Sequence, residues 1–338
     1  MRALTVLLLL VFSSISLPQT PVEKHGQLKV DGTHLVNSAG EVVQLRGVGT
    51  HGLQWFGDFY KEGVAVKSAA KDWNAQIIRL TVYLYEDGYL DNPKMTPEDF
   101  DKMIYSIADN CVENGVYCII DWHVHHPGFP SYYLKDAKVF FDKIAKRYAG
   151  VPNILYEIAN EPNNTGYKNV EGHEVSWQEI KEYANEVIPV IRKHSPDSVV
   201  LVGTPSWSSL GQSTGRKWQE IADSPLQQKN ILYVLHFYAA GHDFYKAIDE
   251  AAEKLPLFVT EWAAASWKTD SKNDPQRTAL WLDVLDRHKI GWTYWNFAPG
   301  KSIYSPFKDG TKPVQKDLAP QSDNISETGK LIFQLLNK

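Results

Sequence analysis

Short apolar, β-branched runs recur along the chain, and between successive runs the apolar positions fall at the three- and four-residue spacing of an amphipathic helix. The runs cover residues 43–48, 77–82, 116–122, 154–159, 199–203, 231–237, 257–262 and 291–295, eight in all. Two of the intervening helices carry their own boundary signals. One spans residues 97–114, opened by a Thr96 N-cap and closed by Gly115; the other spans 176–194 and stops at Ser195-Pro196. Ahead of the first run, residues 27–30 and 34–36 flank Asp31-Gly32 in the pattern of a β-hairpin, with a second turn near Gly40 and extended chain from Val42.

Strands that are apolar on both faces and alternate with helices indicate a parallel sheet covered on each side. Eight such units fit a closed barrel better than an open doubly wound sheet, and no glycine-rich phosphate fingerprint follows the first strand. The expected fold is therefore α/β, a (β/α)8 TIM barrel with an N-terminal β-hairpin. No Ser/Thr/Pro-rich linker, low-complexity tract or short-period repeat interrupts residues 26–338, so one domain is expected over that span. Residues 1–16 read as a signal peptide: Met1-Arg2, an apolar run from Ala3 to Phe12, then Ser13, Ser14 and Ser16 before Pro18. That run is roughly half the length needed to cross a bilayer. Residues 17–25 form a short extension, and a secreted, extracellular protein without a membrane anchor is expected.

Composition narrows the partner. A formal net charge of −5 without any basic run offers no footprint for nucleic acid or an anionic membrane, which leaves a neutral molecule. Eleven Trp and seventeen Tyr suit either a heavy core or the faces of sugar rings. Cys111 and Cys118 are open to two readings, a disulfide in an oxidising compartment or buried thiols. Asn163 and Asn324 open N-x-S/T sequons.

A parallel barrel carries its active site at the C-terminal ends of its strands. Reading those ends in order gives His51 and Trp55, Arg79 and Tyr83, His123, Asn160-Glu161, Trp207, His236 and Tyr238, Glu261, and Trp295. Polar groups that would be costly in a core gather at one end. Glu161 and Glu261 end the fourth and seventh runs, on opposite sides of the barrel mouth. Two facing carboxyls, one protonated and one ionised, are what glycosidic cleavage requires, and retention of configuration needs them about 5–5.5 Å apart. Arg79 is the only cation ending a strand. It is expected to hold one carboxylate ionised, leaving the other as acid. His123 lies in Asp121-Trp122-His123-Val124-His125-His126, and histidines two apart also recur in metal-dependent barrel hydrolases. No second ligand pair ends a neighbouring run, so neither a metal nor any other cofactor is expected. Trp55, Trp207, Trp262, Trp267 and Trp295 stand at or beyond run ends as sugar platforms; Trp73, Trp122, Trp177, Trp281 and Trp292 read as core.

The set Arg46-Gly47-Val48-Gly49-Thr50-His51-Gly52-Leu53-Gln54-Trp55, Ile158-Ala159-Asn160-Glu161-Pro162, His236-Phe237-Tyr238-Ala239 and Thr260-Glu261-Trp262 resembles glycoside hydrolase family 5, most of all its endo-β-1,4-glucanase (cellulase) branch. The resemblance extends from about Gly26 to the C-terminus. It implies that Glu161 is acid/base and Glu261 nucleophile, that Asn160 holds the sugar 2-hydroxyl, that Arg79 and Tyr238 orient Glu261, and that His236 adjoins Glu161. It further implies that His123 binds the reacting sugar above a Trp295 platform, with His51, Trp55 and Tyr83 on the non-reducing side and Trp207 on the leaving-group side. The expected partner is a β-1,4-glucan and the expected form a monomer. Two departures stand out: Ala263 replaces a usual glycine, and the segment from Trp295 to Lys301 is one residue longer than the pattern in which a lysine contacts sugar. The nearest alternative is a β-1,4-mannanase or mixed-specificity glucomannan hydrolase. A sugar-binding barrel without activity and a metal-dependent hydrolase of another class are more distant readings.

Overall fold

In a computed structural model, which describes residues 19–164, 174–268 and 271–338, a hairpin of β1 (Lys29–Asp31) and β2 (His34–Val36) leads into the barrel. The residues read as a signal peptide lie outside the described residues. The eight apolar runs become β3 (Arg46–Gly49), β4 (Ile77–Tyr83), β5 (Tyr117–His123), β6 (Ile154–Glu157), β7 (Val200–Val202), β8 (Ile231–Tyr238), β9 (Leu257–Ala263) and β10 (Trp292–Tyr294). They close into one parallel barrel in the order β10-β3-β4-β5-β6-β7-β8-β9.

The helices form where the sequence signals placed them. Thr96 and Asp99 cap Pro97–Glu113 reciprocally, and Ser176 and Glu179 do the same for Trp177–Arg192, which ends two residues before the expected stop. Among the described residues no helix is long and apolar enough to cross a membrane. Cys111 and Cys118 are buried, free thiols, and burial raises Cys118 well above the ordinary thiol value.

Side-chain alternation divides the barrel interior into storeys. Ile77, Tyr117, Leu155, Leu201, Leu232 and Phe258 fill the lower one, closed off by Leu28 and Leu35 of the hairpin segment with Val43 and Leu45. Above this layer, inward positions two residues beyond Ile77 and Leu155 carry Arg79 and Glu157, and the one two residues beyond Ile119, a further member of the lower storey, carries Asp121; all three are fully buried. The residues between them, such as Ile78, Leu80, Cys118, Ile120 and Tyr156, pack outward against the helices. Strand β9 breaks the alternation. Its pairing shifts between Val259 and Glu261 relative to β8 and between Val259 and Trp262 relative to β10, the mark of a bulge at Thr260. The bulge turns both Thr260 and Glu261 inward.

Two glycines permit close approaches that the site depends on. A Cβ on Gly47 would stand 1.8 Å from the Ile77 carbonyl oxygen where β3 meets β4. One on Gly203 would stand 2.3 Å from the Ala159 carbonyl oxygen, against the turn that carries Asn160 and Glu161.

Candidate active site

Arg79 is the hub of the upper storey. Its Nε and Nη2 donate to Glu157 at 2.7 and 3.0 Å, Nη1 donates to Glu261 Oε2 at 3.1 Å, and Nη2 also reaches Asn160 Oδ1 at 2.6 Å and Asp121 Oδ2 at 3.0 Å. Burial works against its charge, but Asp121, Glu157 and Glu261 together raise its pKa above the ordinary value. Asp121 is also shifted upward: burial raises it well above the usual carboxylate range despite Arg79. Asp121 and Glu157 belong to this buried network but had no role in the sequence reading. The available signal was a charge inside an apolar strand, at the same inward parity as Arg79.

Hydrogen-bond accounting assigns the protons. Asn160 offers its amide oxygen to Arg79, so its Nδ2 donates to His123 Nε2 at 3.2 Å. His123 Nδ1 then carries the proton and donates to Asp121 Oδ2 at 2.6 Å. On the other side, the Thr260 hydroxyl donates to Glu157 Oε1 at 2.8 Å, and so it accepts from His236 Nε2 at 2.8 Å. Burial, then Arg79, holds His236 well below the usual histidine range, so the ring is neutral. Its Nδ1 is left with a lone pair facing Glu161 Oε1 at 2.9 Å. Glu161 satisfies that acceptor only as the protonated acid. Its pKa agrees: burial, then the charge of Glu261, pushes it up to about 8.

Glu261 has a different shell. Oε1 accepts from the Tyr238 hydroxyl at 2.6 Å and Oε2 from Arg79. Burial, then Glu261 itself, raises the Tyr238 phenol well above its ordinary value, which keeps it a donor. Oxygens of Glu161 and Glu261 come within 4.8 Å of each other. The two carboxyls therefore face one another across a short gap, one with a proton and one fixed by two donors.

Above them opens a cavity of about 840 Å³. His51, Tyr83, His123, Asn160, Glu161, Trp207, His236, Tyr238, Glu261 and Trp295 all line it. Arg79 lies beneath its floor, and Trp55 stands at the rim, 46% exposed, with its ring edge-on to His51. Trp295 and His123 lie nearly parallel, 16° apart, and form a flat wall. Trp207 sits in a run of left-handed backbone, Ser206 to Ser208, tied to the fourth strand end by its N–H to the Pro162 carbonyl and by Ser208 Oγ to that of Asn160. Loop residues, among them His125, His242, Phe244, Trp267 and Tyr304, make up the rest of the lining.

One expectation changes, and two residues left open by the sequence find their places. Trp262 is no sugar platform: it is fully buried outside the barrel, packed on Phe237, Trp292 and Tyr294. The cause is strand alternation, since Glu261 faces inward and its neighbour must face outward. Asn163 is a buried residue whose Nδ2 donates to the Glu161 and His125 carbonyls, so that sequon is turned inward. Lys301 has an 88% exposed side chain and pairs with Asp309 at 3.6 Å; its neighbour Ser302 lines the cavity and Lys301 does not.

Comparison with known proteins adds an independent line. The family described as Cellulase (glycosyl hydrolase family 5) matches residues 36–301. Endoglucanase E-5 of Thermobifida fusca is 45% identical over 294 residues, which cover 86% of this chain and 60% of the relative. Endoglucanase CelA of Streptomyces lividans is 40% identical over 318 residues, covering 93% of this chain and 64% of the relative. The chain thus spans less than two thirds of the length of either relative. The crystal structure of the catalytic domain of Thermobifida fusca endoglucanase Cel5A superposes with a TM-score of 0.86 at 42% identity, covering 95% of this chain and all of that domain. A variant of the same domain in complex with cellotetraose gives 0.85, at the same identity and coverage. By barrel and by sequence, the chain belongs to glycosyl hydrolase family 5, the cellulase family.

Proposed function

We propose that this protein is a secreted endo-β-1,4-glucanase that cleaves internal glucosidic bonds with retention of configuration. The observation that carries this reading is the hydrogen-bond chain Glu157–Thr260–His236–Glu161, which leaves Glu161 protonated within 4.8 Å of a Glu261 carboxylate gripped by Arg79 and Tyr238. That spacing supports direct attack by a carboxylate, because an inverting pair stands roughly 6.5–9.5 Å apart to admit water. The endoglucanase names of the relatives and the cellotetraose complex of the neighbour support the substrate class.

In the proposed reaction, a glucan chain lies across the cavity with its reacting ring on Trp295. Asn160 Nδ2 and His123 meet that ring's hydroxyls, His51, Trp55 and Tyr83 hold the non-reducing side, and Trp207 holds the leaving side. Glu161 gives its proton to the glycosidic oxygen while Glu261 attacks the anomeric carbon, forming a glycosyl ester and releasing the shortened chain. Glu161, now a carboxylate, takes a proton from water, which attacks the same carbon and releases Glu261. No step uses a metal ion or another cofactor.

Product analysis tests the proposal. Soluble cellulose derivatives should lose viscosity before much reducing sugar appears, and proton NMR should find the β-anomer first. A strong preference for pure mannan would overturn the substrate, and first-formed α-anomer would overturn the nucleophile role of Glu261. Export through residues 1–16 is tested by N-terminal sequencing of protein recovered from the medium; a mature N-terminus that retains those residues would refute it.

A further inference from the structure

The cluster His123-Val124-His125-His126 is only partly used by the reaction above, and its last two residues meet a third donor. We propose that Glu86, His125 and His126 form a binding site for one divalent transition-metal ion, of the zinc type, at the mouth of the cleft. The barrel register explains why they meet: Tyr83 of β4 pairs with His123 of β5, so the chain just past each strand end emerges at the same level. One ligand atom from each of the three residues lies within 4.8 Å of the others. His125 Nδ1 is 3.1 Å from Glu86 Oε1, close to the edge of about 3.3 Å that a tetrahedron with metal bonds of about 2.0–2.1 Å requires. The His125 and His126 rings are 4.0 Å apart. Two imidazoles and one carboxylate form a donor set that suits zinc, copper or nickel and disfavours magnesium or calcium.

The backbone supplies a second observation. Glu86 and Asp87 are consecutive non-glycine residues with φ of 67° and 60°, a left-handed conformation that such residues hold only where the surroundings impose it. This left-handed pair carries Glu86 to the His125 side, and Gln54 Nε2 anchors the Glu86 carbonyl at 3.3 Å. His125 bridges the site to the cavity, for its Nε2 lies 3.9 Å from Glu161 Oε2. An ion held through His125 Nδ1 fixes that ring beside Glu161 and narrows the approach of a sugar chain. This consequence for hydrolysis rests on the function proposed above, whereas the site itself does not.

Calorimetric titration of the full chain with zinc chloride tests the site, alongside E86Q and H126A. The wild type should bind one equivalent, each variant should weaken binding by more than about tenfold, and zinc should raise KM on a soluble cellulose derivative in the wild type only. His126 lies outside the cavity lining, so H126A should keep its basal activity. Unchanged affinity in both variants would overturn the proposal, as would affinity that depends instead on Glu161 and Glu261, which form a second donor group with His236. Binding lost in the variants while zinc leaves wild-type hydrolysis untouched would uphold the site and overturn its link to the cleft.

Discussion

Replacing Glu261 with glutamine should lower the pKa of Glu161 by about one to two units from its value of about 8. The Glu161 side chain is only 12% exposed, and after burial the charge of Glu261 is the strongest force raising it. Two unit charges 4.8 Å apart repel by about 3.5 kcal/mol at an effective dielectric of about 20, or roughly 2.5 pKa units. Each charge is spread over two oxygens and Arg79 offsets part of it, which brings the expected change down to the lower range. The sign is fixed: without the neighbouring anion, ionising Glu161 costs less and its pKa falls. Glutamine retains the volume of Glu261, its oxygen accepting from Arg79 and its nitrogen donating to the Tyr238 oxygen. Carbon-13 NMR of protein labelled at the glutamate carboxyl gives both titrations directly. An unmoved midpoint would refute the reasoning and assign the whole shift to burial.

Other perturbations probe separate parts of the same shell. Thr260→Val removes the acceptor for His236 Nε2–H, so the ring flips tautomer, donates from Nδ1 to Glu161 and favours its carboxylate; the alkaline limb of kcat/KM should move down by about one unit. An unshifted limb would break the proton assignment. Arg79→Ala leaves Asp121, Glu157 and Glu261 without their shared cation and should cost about 3–5 kcal/mol in chemical denaturation as well as activity; wild-type stability would contradict this. With azide and an activated substrate, Glu261→Ala should yield inverted product and Glu161→Ala product of unchanged configuration, as chromatography of the glycosyl azides would reveal. Exchange of those two outcomes would reverse the roles.

The barrel was legible because its strands are apolar on both faces for one full storey, a pattern few other folds impose. The tips were legible because polar residues there are too costly to be packing. Asp121 and Glu157 escaped notice because each lies inside an apolar run, where position along the run hides what parity reveals: both share the inward face with Arg79. Parity would also have corrected Trp262, since it follows an inward glutamate. The bulge at Thr260 leaves no such trace, for nothing in Val259-Thr260-Glu261 marks two successive inward residues. His242, Phe244 and Tyr304 reach the cavity from loops, whose paths follow from tertiary contacts that spacing along the chain does not encode.

The storeys inside the barrel have a consequence for how this molecule can change. The apolar layer around Ile77, Tyr117 and Phe258 holds the strands together without touching any group above Arg79, while Trp55 and Trp267, 46% and 51% exposed, touch the cavity mouth without supporting the strands. Between them the Arg79 layer is a partition at which stability and chemistry are joined, because every charge there answers to the same guanidinium. Variation that adapts the protein to heat therefore belongs below the partition, and variation that adapts the cleft to a different ligand belongs above it. The two can accumulate in one lineage with little interference, and substitutions in the partition itself are the ones that cannot be made singly.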